Sequence, residues 1–143
     1  MRKIFTLALL SCAGSALADA APVLVDVPAL VHASQAQVEQ TLGAAEFCRK
    51  SRHGLACRYA AYGVEVVFAK DKAEQIIIND PGELPYDKSA IARLGFKGQE
   101  PEVATDEVMT WQTIPGIAEL SLFPDHDKID YALVVVTPPP GRK

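Results

Sequence analysis

Cys48 and Cys57 carry the plainest chemistry in this chain. In an oxidising compartment two cysteines at this spacing close a disulfide around Cys48-Arg-Lys-Ser-Arg-His-Gly-Leu-Ala-Cys57, worth about 2.5–3 kcal/mol on the loop-entropy model. Two free thiols are the alternative. The spacing matches neither a zinc site nor a thiol-redox motif. Arg49, Lys50, Arg52, His53 and Arg58 lie in or beside this loop, and no acid stands between Glu46 and Glu65. In an acidic protein such a cationic patch suits an acidic protein partner or an anionic headgroup. The plainer reading is a solvated loop.

The remaining chemistry-bearing residues are weaker. Asp125-His126-Asp127 with Asp130 has the oxygen and nitrogen donors to attract a cation, but it lacks the glycine and distal Glu of a calcium loop. A polar hairpin turn explains the same residues. His32, His53 and His126 are scattered, with no nucleophile beside them, so no catalytic residue, metal or cofactor is expected. Tyr59, Tyr62 and Trp111, with Phe68 and Phe123, would line an aromatic groove on an open sheet face, or else fill the core.

Compartment follows from the first residues. Met1-Arg-Lys3 is a cationic start, Ile4 to Leu10 is apolar, and Ala16-Leu-Ala18 is a small-x-small cleavage site. That pattern is a signal peptide, too short to span a bilayer as a helix. Leu9-Leu-Ser-Cys12 loosely resembles a lipobox, so a lipoprotein anchored through Cys12 is the alternative. Cleavage after Ala18 removes Arg2 and Lys3, taking the net charge from −4 to −6. A periplasmic or secreted acidic chain of this kind is a poor ligand for nucleic acid. No second apolar run has transmembrane length.

The elements that must position these residues repeat. Asp19 to Pro28 reads as an extended lead-in with a possible edge strand at Val23, Val25 and Val27. Ser34, with Gln37 three residues on, opens a helix that Gly43 stops. Tyr59, then Val64-Glu-Val-Val-Phe68, then Ala73 to Ile78 form a three-stranded meander. Asp87 caps a second helix that ends at Gly95. Gln99 to Glu107 is an acidic connector. Met109 to Thr113, Ala118 to Leu122 and Ile129 to Val135 form a second meander, before a proline-rich tail at 138–143. Residues 19–137 are therefore one α+β domain of two tandem halves, about 28–80 and 84–136. The expectation is one antiparallel sheet with two short helices on one face.

The stretch from Leu30 to Leu42-Gly43, the run Tyr59…Val64-Glu-Val-Val-Phe68, and Trp111…Ile114-Pro-Gly-Ile117 with Asp130-Tyr131 resemble a family of uncharacterised exported bacterial proteins and lipoproteins. The helix-then-meander repeat is similar to the fold of the β-lactamase-inhibitor protein and of small outer-membrane-assembly lipoproteins. Ala44-Ala45, His32 and the cysteine pair depart from that pattern. The resemblance implies a binding protein without chemistry of its own: a non-enzymatic envelope module with a protein partner. The alternative is a carrier or sensor of a small apolar ligand or lipid in a sheet–helix groove.

Overall fold

Eight strands and three short α-helices make up the structure, a computed structural model that describes residues 22–138. The expected signal peptide with Cys12, and the end of the proline-rich tail, lie outside the described residues. The helices are α1 (Val27–Leu30), α2 (Gln35–Leu42) and α3 (Ala90–Arg93). The strands are β1 (Ala45–Ser51), β2 (Gly54–Tyr59), β3 (Val64–Ala69), β4 (Lys72–Ile78), β5 (Val103–Ala104), β6 (Met109–Trp111), β7 (Ile117–Asp125) and β8 (Lys128–Val136).

Local chemistry explains the helix limits. The Ser34 hydroxyl accepts the Gln37 N–H at 3.2 Å, and the Gln37 side chain accepts the Ser34 N–H at 2.9 Å. This reciprocal pair satisfies two of the orphan donors that open α2. Before α3, the Asp87 carboxylate accepts the Ser89 N–H at 2.7 Å. Gly95 ends that segment at φ +88°, where an added Cβ would stand 3.0 Å from Pro28 Cδ. The glycine thus lets the end of α3 pack against α1. The lead-in does not form the edge strand that its alternating valines suggest. Leu24 N–H donates to Arg93 O at 2.7 Å and Val27 N–H to Leu94 O at 3.1 Å. Pro28, whose fixed φ suits a first helical turn, is the second residue of α1.

All eight strands lie in one antiparallel sheet, ordered β1-β2-β3-β4-β8-β7-β6-β5. Each half is a four-stranded meander, and the two join where Gln75–Ile78 of β4 pair with Ala132–Val135 of β8. The sequence reading of three strands per half misses one in each. Its disulfide loop is the β1–β2 hairpin, and its acidic connector contains β5. The result is an α+β chain dominated by sheet.

Alternation decides the faces. Val64, Val66 and Phe68 of β3 are buried, as are Leu120 and Leu122 of β7 and Ala132, Val134 and Val136 of β8. They join buried residues of all three helices in one apolar cluster, so the helices and the core share one sheet face. The opposite face mixes Glu65, Val67, Gln75, Ile77, Glu119 and Leu133. Thr110 and Ser121 are buried there and bond each other through their hydroxyls at 3.0 Å.

Candidate functional site

The β1–β2 hairpin forms one edge of the sheet. Cys48 and Cys57 face each other directly across it and are disulfide-bonded, with Cα atoms 4.1 Å apart. Arg52 and His53 form the two-residue turn between Ser51 and Gly54. Gly54 sits at φ +135°, and a Cβ there would stand 2.0 Å from the Phe68 carbonyl oxygen. Only glycine lets the hairpin lie this close to β3. β2 is an inner strand that buries Cys57 and Tyr59 under the helices, whereas six of the seven residues of β1 are exposed.

The basic residues share this hairpin but not one face. Arg49 and Arg58 project to the helix-free side. There Arg49 lies 3.7 Å from Glu65 and Arg58 lies 3.9 Å from Glu46. These are the two acids that bracket the basic stretch in sequence, and the strands fold them back onto it. Such exposed pairs contribute little to stability. Lys50 projects to the helix side, and Arg52 and His53 stand at the tip. None of these three has an ion-pair partner among the described residues. Phe47, which sequence reasoning passed over, is 52% exposed beside Arg58. Its only sequence signal is its position as the one large apolar residue in an otherwise polar run.

The three aromatic candidates do not come together as a groove. Tyr59 and Trp111 each end the second strand of a meander, and both are 0% exposed. They belong to the core because the strand register turns them toward the helices. The Trp111 indole N–H donates to Gln99 O at 3.0 Å. The Tyr59 hydroxyl is buried without a partner among the described residues, and burial, with the Glu39 carboxylate adding to it, pushes its pKa up to about 12. Tyr62 is 39% exposed in the β2–β3 turn, at φ 51°. Phe68 is in the core, and Phe123 stacks on Tyr131 with ring centroids 4.5 Å apart.

A groove between helices and sheet does exist, lined by other residues. Pro28, Val31, Phe96, Ile114 and Ile117 form an apolar pocket of about 450 Å³ with Lys97 at its rim. At the far end of the sheet, Glu102 accepts the Thr113 hydroxyl and, at 2.8 Å, the Gln112 N–H, and these bonds hold its carboxyl below the usual range. Asp125 and His126 bond each other at 2.8 Å in the exposed β7–β8 turn. No group of three metal-ligating side chains assembles among the described residues. No family model, curated protein or solved structure matches this chain.

Proposed function

We propose that this protein is an exported, non-enzymatic binding module of the cell envelope that docks an acidic protein partner through the β1–β2 hairpin. The observation that carries the reading is β1 itself: a seven-residue edge strand, exposed along almost its whole length, basic, and fixed by a disulfide. Phe47, Arg49, Arg58 and Tyr62 give that corner the aromatic and arginine content typical of binding hot spots. The signal-peptide pattern and the disulfide support export, with an N-terminus at Asp19 or, as the alternative, a lipid anchor at Cys12. The shared order of helix and four strands supports reading the two halves as a structural repeat.

The test is charge reversal. Arg49→Glu with Arg52→Glu should weaken capture of envelope proteins by the immobilised mature chain by about tenfold or more, as loss of complementary charge predicts. Unchanged capture would sink the docking reading. A preference for vesicles of anionic phospholipid over every protein would replace the partner with a headgroup.

The apolar pocket favours a second reading, a carrier of a small apolar ligand. Native mass spectrometry of the purified protein separates the two: a co-purified lipid or metabolite lost on Ile117→Asp supports the carrier, and a bare chain argues against it.

A further inference from the structure

The register of the hairpin fixes which backbone groups of β1 are used. Directly opposed residues in an antiparallel pair alternate between exchanging hydrogen bonds and not, and the closer Cα pairs are those that do not. At 4.1 Å, Cys48 and Cys57 are such a pair. Phe47, Arg49 and Ser51 therefore bond across to Arg58, Ala56 and Gly54. Cys48 and Lys50 turn their N–H and C=O groups away from the sheet. Among the described residues β1 has a neighbour on one side only, so these groups form an open ladder. The bulge between Ala45 and Phe47 limits it at one end and the turn at Arg52 and His53 at the other. The free rail is Phe47–Ser51, about 17 Å long at ordinary strand rise.

Edges like this are normally blunted by shortness, proline or bulges. The opposite edge of this sheet is blunted: β5 has two residues and follows Pro101. β1 has no proline, and the disulfide at its midpoint keeps it from fraying. Beyond the bulge at its start, its deterrent is positive charge, from Arg49 and Lys50 with Arg52 at the adjoining turn. That charge repels a second β1 and attracts a strand of opposite sign.

We infer that β1 is completed in use by a ninth strand, an acidic extended segment of the partner protein added antiparallel along Phe47–Ser51. This rests on the reading that the hairpin docks an acidic protein, and it specifies the mode. Main-chain bonds to Cys48 and Lys50 hold the segment, and side chains select it. The residue beside Phe47 is apolar, and those beside Arg49 and Lys50 are Asp or Glu, on opposite faces.

The experiment uses the mature chain, 19–143, with its disulfide intact, and a blocked synthetic peptide whose central run sets two adjacent Asp or Glu residues, then one Thr, then Val, so that antiparallel pairing puts the acids beside Lys50 and Arg49 and the Val beside Phe47. Amide hydrogen exchange is followed by NMR, and affinity by fluorescence anisotropy. The peptide should slow exchange at Cys48 and Lys50 by about tenfold or more, while Phe47 and Arg49, already bonded to β2, change little. Lys50→Pro removes an outward donor that β2 does not use. It should weaken binding by about tenfold, against about threefold or less for Lys50→Ala, which removes only the charge.

Four results would overturn the inference. Binding with Cys48 and Lys50 unprotected, and Lys50→Pro no worse than Lys50→Ala, leaves docking through side chains and removes strand addition. Failure of the acidic peptide to bind, together with unchanged envelope capture by the Arg49→Glu, Arg52→Glu variant, removes both readings. Protection that appears without peptide and grows with protein concentration assigns the edge to a second copy. Binding to anionic vesicles but not to the peptide assigns it to a membrane.

Discussion

Tyr59 carries its hydroxyl into the core with nothing among the described residues to bond it. A buried donor without a partner costs more than a methyl-sized void of the same shape, so Tyr59→Phe should stabilise the fold by up to about 1 kcal/mol at pH 8. The pH dependence has a definite sign. The folded pKa is raised to about 12, against about 10 for a tyrosine in the unfolded chain. Below pH 10 both states hold the proton, so the cost of the buried hydroxyl does not vary with pH. Between pH 10 and 12 the unfolded chain ionises first, so stability falls as pH rises. Urea midpoints of wild type and Tyr59→Phe should therefore diverge further at pH 11 than at pH 8. An equal gap at both values would show that the hydroxyl ionises in the folded protein as readily as in the unfolded chain. His32 Nδ1 is likewise buried without a partner among the described residues, on a backbone at φ 57°.

At the scale of the element, the hairpin rests on one contact that no side chain can share. Gly54→Ala places a Cβ against the Phe68 carbonyl at a backbone angle alanine avoids. The edge should peel, with a loss of about 2 kcal/mol or more in chemical denaturation. Replacing Cys48 and Cys57 together by Ala should cost about 2.5–3 kcal/mol and speed amide exchange in β1 before β3. The reason this hairpin reads as a loop in sequence is physical. A strand with no buried face has no period-two signal, and Ala45-Glu-Phe-Cys-Arg-Lys-Ser51 offers charge and a single large apolar residue, Phe47. β5 escapes notice for the same reason among Glu100, Glu102 and Asp106. β3, β4, β7 and β8 are legible because each buries alternate residues against the helices. α2 is legible from its capping box. The pocket below α1 is not, because Val31, Phe96 and Ile117 meet only after the chain has folded. The cysteine pair and the basic residues were visible as residue types, but their distribution over two faces and a tip follows from the pairing register.

At the scale of the molecule, the two four-stranded halves meet within the sheet at one seam, the pairing of β4 with β8, beneath a shared helical core. Ile76 and Val134 pair there, and both are fully buried. Ile76→Ala should cost about 2–5 kcal/mol. Its effect should reach across the seam. The only tryptophan, Trp111, lies in the other half, and its fluorescence midpoint should shift as far as the far-UV dichroism midpoint. Separate midpoints would show two folding units within one sheet. The charge layout has its own signature: a cationic hairpin on a chain of net negative charge should bind its partner more weakly as salt rises, with the loss mainly in the association rate.

The seam also sets an order in time. β8 comes after β4 and β7 in the chain, yet it is the strand that lies between them. A chain emerging from its N-terminus can complete the first meander while the outer side of Ile76-Ile77-Ile78 stays bare. That rail is β-branched on both faces and carries no charge, the kind of edge on which neighbouring chains nucleate aggregates. It is closed only when Ala132 to Val135 arrive. The interval between the emergence of residues 78 and 136 is the period of greatest risk for this protein, and the stage at which a holding chaperone would matter most.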